Sequence, residues 1–185
     1  MKRFLAMMLI AAMMLSLVAC GKDASKGAAD VTPLDALTKV WETYGEDEMF
    51  FAMGGDMNNI VDNAPGAYDV ADVEGLDAVL GFPQASVALI DEAASLVHAM
   101  NANTFTAGAY HVTDDSEVEM LIEDLKDNIM NRQWMCGFPD TLIIVKVGGS
   151  TLVSAFGNAE IIETFKTKLL EVHEGAEVVC EESLV

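Results

Sequence analysis

The segment TLIIVKVGGSTLVSAF, residues 141–156, decides the fold class. Its two apolar runs, 141–147 and 151–156, are rich in β-branched residues and flank a Gly-Gly-Ser turn. Such runs are typical of strands, and glycine supplies the positive φ that a tight hairpin turn requires. The segment therefore predicts a β-hairpin within an antiparallel sheet.

An amphipathic helix is predicted on each side of this hairpin. Before it, Ser116 and Glu119 form a capping-box pattern, and apolar residues recur at helical spacing as far as Met130. After it, Asn158 is placed to cap a helix whose apolar residues recur as far as Leu170. Each helix has one apolar stripe to bury, so we expect both to pack on the sheet.

Further strands are predicted at 95–101, 104–113 and 176–180. From residue 104 onward the order is therefore β-α-β-β-α-β, which is that of ferredoxin-like folds. We predict an α+β domain in which an antiparallel sheet carries its helices on one face.

The N-terminal third of this domain is predicted to be helical. Thr32 and Pro33 have the pattern of an N-cap followed by a first helical residue. Helical patches follow at 70–80 and 84–93, and the stretch 56–68 is predicted to be irregular.

Two further motifs have both a functional and a structural interpretation. Met49, Met53 and Met57 stand four residues apart, a stripe that can bind partners but more often fills a core. The segment WMCGFP, residues 134–139, resembles the Trp-Cys-Gly-Pro-Cys signature of thioredoxins, but Pro139 stands where the second cysteine would be needed. We therefore predict core methionines and a turn whose aromatic residues pack inward, with a thiol-redox role as the alternative.

The first 19 residues have the layout of a bacterial lipoprotein signal peptide. Two basic residues precede an apolar run that ends at Ala19 and is shorter than the roughly 20 residues of a membrane-spanning helix. The sequence LVACG, residues 17–21, resembles a lipobox, whose cysteine receives a diacylglyceryl group and becomes the first residue after cleavage. We therefore predict lipidation of Cys20, with a plain secretory signal and an uncleaved helical anchor as alternatives.

This assignment divides the chain into three parts. Residues 1–19 are the signal peptide, residues 20–32 are the lipidated N-terminus and a small, polar tether, and residues 33–185 are a single domain. The predicted location is the extracytoplasmic face of the cell membrane. Two acyl chains anchor a protein firmly, because each buried CH₂ contributes about 0.8 kcal/mol.

The charge balance excludes several kinds of partner. The chain has 30 acidic and 10 basic residues, a formal net charge of −20. Binding to nucleic acid regardless of sequence requires basic residues that neutralise phosphates, and lying on an anionic bilayer requires them too. We therefore expect no nucleic-acid partner and a membrane contact through the N-terminal lipid alone.

The remaining cysteines and histidines offer few sites. Cys136 and Cys180 would lie at the same end of the predicted sheet, where an exported pair can form a disulfide; two buried free thiols are the alternative. His98 and His111 would face each other across a hairpin that turns near Asn103, but no spacing provides the further ligands that zinc needs. We predict no metal and no cofactor.

Four segments resemble an uncharacterised lipoprotein family of gut Firmicutes: WETYG at 41–45, GGDM at 54–57, MNANTF at 100–105 and NRQWMCGFP at 131–139. Some members of that family carry the name bacteriocin transport accessory protein. The name implies a thioredoxin-like fold with paired cysteines, which this sequence lacks. The resemblance therefore implies a family and a location, but not an activity.

Three classes of function follow. The first is a lipid-anchored accessory or interaction module, which predicts an exposed apolar patch and a protein partner. The second is a small-ligand-binding lipoprotein, which requires one clear pocket. The third is an enzyme or thiol-redox protein, yet the sequence has no nucleophile elbow, phosphate-binding glycine loop or calcium loop. We therefore expect the first class and no enzymatic activity.

Overall fold

The computed structural model describes residues 31–135 and 137–185. Within them, one eight-stranded sheet is flanked by helices, and all neighbouring strands are antiparallel. The elements along the chain are α1 (Pro33–Trp41), β1 (Ala52–Gly54), β2 (Val61–Asp62), β3 (Gly66–Tyr68), α2 (Val73–Leu80), β4 (Ile90–His98), β5 (Phe105–Val112), α3 (Val118–Met130), β6 (Thr141–Val147), β7 (Thr151–Gly157), α4 (Ala159–Val172) and β8 (Glu177–Ser183). Short 3-10 turns at Gln84–Leu89 and Asp115–Glu117 precede β4 and α3.

The α+β class and the antiparallel sheet are confirmed. The hairpin predicted at residues 141–156 is formed by β6 and β7. Its last pair, Val147 opposite Thr151, closes the turn. Gly148 adopts a φ of 70°, as the turn requires. The sheet order is β2-β1-β4-β5-β7-β6-β8, and β3 pairs with β4.

The helices do not share one face, so that part of the prediction is wrong. Leu37 of α1 and Phe165 of α4 are buried in the core on one face, whereas Leu76 of α2 and Leu125 of α3 are buried in the core on the other. The crossovers from β5 to β6 and from β7 to β8 each pass over one strand in the same direction along the sheet. Because β5 and β7 are antiparallel, right-handed crossovers place their helices on opposite faces.

The ferredoxin-like sheet order is not confirmed, although the chain order β-α-β-β-α-β is present from β5 to β8. In a ferredoxin-like sheet the last strand returns to the side of the first strand of the unit. Here that side of β5 is occupied by β4 through pairs such as Val97 with Thr106. The last strand pairs with β6 instead, for example through Cys180 opposite Ile144.

The N-terminal third is less helical than predicted. Thr32 does cap α1, since its side chain accepts a hydrogen bond from the backbone N–H of Asp35. However, the stretch predicted to be irregular contains β2 and β3, and the helical patch at 84–93 ends where Ile90 begins β4. β4 pairs with β5 on one side and with β1 and β3 on the other, so sheet pairing outweighs the local helical pattern.

The helix starts agree with the sequence pattern at α4 and differ at α3. Asn158 accepts from the backbone N–H of Glu160, as a cap should. At α3 the predicted capping box is not formed, because Asp114 accepts from both the backbone N–H and the hydroxyl of Ser116. A 3-10 turn therefore precedes α3. Across the described residues, the helices are too short or too polar to cross a membrane.

Candidate interaction surface

One end of the sheet holds the beginning of the described chain. There Val147 pairs with Thr151, and the Thr151 hydroxyl donates a hydrogen bond to the carbonyl oxygen of Val31 over 2.5 Å. Thr151 is buried, so this bond is shielded from water. We name this the proximal end, because the described chain begins there.

The distal end is the opposite end of the sheet, where Phe105 and Thr141 both pair with Gly157. Only glycine fits at position 157, because a Cβ there would lie 2.3 Å from the carbonyl oxygen of Thr104. The β4–β5 turn and the loop 131–140 meet beyond these strand ends.

Hydrogen bonds attach that loop to its surroundings through its backbone. The side-chain amide of Asn103 donates to the carbonyl oxygens of Met135 and Gly137 over 2.8 and 3.0 Å. The backbone N–H of Asp140 donates to the carbonyl oxygen of Gly157 over 2.8 Å. The side chains of Met135 and Phe138 take no part in these bonds and face solvent.

Apolar side chains are exposed around the distal end. Met100, Met135 and Phe138 are 77, 79 and 68% exposed, and Phe51 lies beside them in the fold because its carbonyl accepts from the N–H of Ala99. In the described part of the chain, seven of the 13 large exposed apolar side chains are at this end. The set is Met49, Phe51, Met100, Met130, Met135, Phe138 and Val185. Met49 and Phe51 lie near β1 and Val185 follows β8, at opposite edges of the sheet. Met100, Met135 and Phe138 belong to the β4–β5 turn and the loop attached to it, and exposed apolar side chains on neighbouring loops are typical of interaction sites.

Two predictions about apolar residues are corrected by this surface. Met49 and Met57 are exposed, so the methionine stripe is not part of the core. Met53 lies in the short strand β1, whereas Met49 and Met57 lie outside it in irregular chain, so no helix gives the three residues a common face. Trp134 packs on Phe156 with ring centroids 5.1 Å apart, as an inward-packed turn requires, but Phe138 faces solvent.

Cys180 is the cysteine that lies within the described residues. Cys180 is buried in β8 as a free thiol, and burial raises its pKa, which makes it a poor nucleophile at neutral pH. Cys20 and Cys136 lie outside the described residues. Lipidation and the disulfide to Cys136 therefore stay predictions.

The two hairpin histidines do not face each other, so that expectation is wrong. The register of β4 and β5 places Glu92 opposite His111, whereas His98 lies at the distal end. His98 stacks on Phe50 with ring centroids 5.4 Å apart, and His111 Nδ1 lies 2.6 Å from a carboxylate oxygen of Asp91. Within 31–135 and 137–185, no three His, Cys, Asp or Glu side chains are grouped as metal ligands.

His173, which follows α4, is a buried residue. Its Nε2 lies 3.0 Å from the carbonyl oxygen of Ala36 in α1, and this acceptor assigns the ring proton to Nε2. Burial lowers the pKa of the His173 ring, so the neutral form is favoured. The side chain thus connects α4 to α1.

A small-ligand receptor would need one clear pocket. The described residues form several clefts of moderate size instead. One of about 420 Å³ lies between α2 and α3, and several of its polar groups bind one another. Ser86 donates to Asp124 over 2.5 Å, and Arg132 donates to the carbonyl oxygen of Asp77 over 2.6 Å. Other clefts lie beside Pro33 at the proximal end and beside Asp140 at the distal end.

Comparisons with other proteins add no assignment to this surface. No protein family, curated protein or solved structure matches the chain.

Proposed function

We propose that this protein is a bacterial lipoprotein of the extracytoplasmic face of the cell membrane. The lipid on Cys20 anchors it, and its distal end binds a protein partner, so that it acts as an accessory or interaction module. One observation carries the proposal. The chain leaves the domain at the proximal end, where Thr151 binds Val31, whereas exposed apolar side chains are concentrated at the distal end.

This polarity gives the domain a direction relative to the bilayer. β7 runs from the proximal to the distal end, and its seven residues span about 23 Å at roughly 3.3 Å per residue. A lipid attached ahead of Val31 holds the proximal end nearer the bilayer. The apolar side chains of the distal end then face away from the anchoring membrane, toward other proteins of the envelope.

The chemistry of the distal end suits a protein surface. Met100, Met135 and Phe138 are unbranched or aromatic side chains, which adapt to an apolar groove and bury a large area. The backbone of the loop that carries Met135 is already held by Asn103, so little chain entropy is lost on binding. The strong net negative charge of the whole chain keeps such a surface soluble before it binds.

Site-specific photo-crosslinking in the native cells tests this proposal. A photoreactive phenylalanine analogue at position 138 or 135 should give a discrete protein adduct that stays in the membrane fraction. The matched control is position 120, because Met120 is 47% exposed but lies in the first turn of α3 at the proximal end. Equal adducts from positions 120 and 138, or lipid adducts from position 138, would contradict the proposal.

A further inference from the structure

A cleft at the distal end differs in composition from the apolar side chains around it. It has a volume of about 320 Å³, near the lower limit of small-molecule sites, and polar side chains dominate its lining. The lining side chains that matter here are Asn101, Asn103, Thr104, Phe138, Asp140 and Asn158. We propose that this cleft binds a neutral saccharide. The proposal goes beyond the protein partner and does not require it.

The polar side chains of the cleft are held by internal hydrogen bonds. Asn101 accepts from the backbone N–H of Asn103 over 3.0 Å, while the amide of Asn103 donates to two loop carbonyls. One carboxylate oxygen of Asp140 accepts from the N–H of Ala159 and from the side-chain amide of Asn158, over 3.1 and 3.3 Å. The side chains are thus oriented before any ligand arrives, which lowers the entropic cost of binding.

These bonds use only part of the hydrogen-bonding capacity of the side chains that line the cleft. Within the described residues, the side-chain NH₂ of Asn101, the side-chain oxygen of Asn103 and the second carboxylate oxygen of Asp140 make no hydrogen bond. The set contains a donor and two acceptors. A hydroxyl group both donates and accepts, so several hydroxyls on one ligand satisfy all three.

The charge of the lining excludes charged ligands. No Lys, Arg or His lines the cleft, so an anion would find no counter-charge. Asp140 is the one carboxylate of the lining, and two N–H donors already share one of its oxygens. A single carboxylate does not provide the several charged oxygen ligands that a metal cation takes, and a neutral ligand rich in hydroxyl groups fits best.

An apolar surface borders these polar groups. The ring of Phe138 is 68% exposed and lines the cleft. A pyranose ring has a face of C–H groups beside its hydroxyls, and such a face packs on an aromatic ring while the hydroxyls bind amides and carboxylates. The cleft offers both kinds of surface within one small volume, which is the reason for choosing a saccharide over a simple polyol.

Saturation-transfer difference NMR on the full-length protein, in a detergent without a sugar headgroup, tests this inference. The probes are glucose, maltotriose and the trimer of N-acetylglucosamine, and insoluble amylose and chitin are used in a parallel sedimentation assay. We expect transfer to ring C–H protons of at least one probe. Binding of the free sugars alone indicates a soluble ligand, and cosedimentation indicates a glycan chain; either result supports the saccharide class.

The variants Asn101→Ala and Phe138→Ala should each weaken binding by roughly tenfold, the loss expected for about one hydrogen bond or ring contact. Met120→Ala is the matched control, because Met120 is exposed in α3 and belongs neither to the cleft nor to the apolar set of the distal end. No transfer to any probe, or unchanged binding in both cleft variants, would overturn the inference. If the photoreactive analogue at position 138 or 135 gives no protein adduct while the sugar binds, only the proposed function is rejected.

Discussion

The hydroxyl of Thr151 donates a hydrogen bond to the carbonyl oxygen of Val31 over 2.5 Å, joining residues 120 positions apart in the chain. The bond lies between the start of β7, in the middle of the sheet, and the residue that precedes α1. It therefore helps to hold the start of the described chain at the proximal end of the sheet. Under the proposed function it also determines which end faces the bilayer.

Thr151→Val should lower the free energy of unfolding by about 1–2 kcal/mol, because it leaves the carbonyl of Val31 without this donor. The matched control is Thr113→Val, whose hydroxyl also donates to a backbone carbonyl, that of Leu89, but at an exposed position and over 3.2 Å. Urea unfolding measures both. Equal midpoints for the two variants would show that burial adds nothing to the Thr151 bond.

Cys20→Ala should remove the lipid, since the acceptor thiol is lost. We expect either protein outside the membrane fraction or an unprocessed precursor, distinguished by fractionation and intact mass. Cys180→Ala is the control, because Cys180 is buried in β8 and should leave anchoring unchanged. A Cys20→Ala protein that is processed and membrane-bound like the wild type would refute the lipoprotein assignment.

Free-thiol titration of the unreduced, denatured mature protein tests the disulfide that the sequence allows between Cys136 and Cys180. If the pair is oxidised, no thiol should titrate, because the sulfur of Cys20 carries the lipid. Denaturation is needed because Cys180 is buried in β8. Two titratable thiols would contradict the disulfide and support the alternative of two buried free thiols.

His173 should make stability depend on pH. Its pKa is lowered by burial, so below the ordinary value of about 6.5 the unfolded chain binds a proton that the folded ring resists. The contribution of His173 to the free energy of unfolding is therefore complete above pH 7 and is lost as the pH falls below about 6.5. His173→Gln keeps a donor for Ala36 and should show a smaller loss of unfolding free energy between pH 8 and pH 5. If the unfolding free energy of the wild type and of His173→Gln falls equally between pH 8 and pH 5, His173 does not cause the pH dependence.

Gly108→Ala should destabilise the sheet by about 1–3 kcal/mol, the usual cost of forcing an extra carbon into a packed core. A Cβ at position 108 would lie 2.0 Å from the hydroxyl oxygen of Tyr110, which is fully buried. Tyr110→Phe removes that oxygen, so the double variant should regain part of the loss. A double-mutant cycle with zero coupling would show that the hydroxyl is not the obstacle.

The distal surface was only partly predictable. The sequence predicts an exposed apolar patch, but its patterns place Met49 and Met57 in the core and turn Phe138 inward. Exposure of these residues depends on neighbours that are distant in the chain, such as Asn103, which attaches the loop carrying Phe138. The polar cleft had no local signal, because its side chains come from three separate segments.

Short-range patterns in the chain were sufficient for the β6–β7 hairpin, the stripes of α3 and α4, the Thr32 and Asn158 caps and the α+β class, because each depends on residues a few positions apart. The face on which each helix packs, the partner of β8 and the register that separates His98 from His111 were decided by the tertiary structure alone. The physical reason is the occupation of one side of β5 by β4. It directs β8 to the far edge of the sheet, and right-handed crossovers in that one direction then place α3 and α4 on opposite faces.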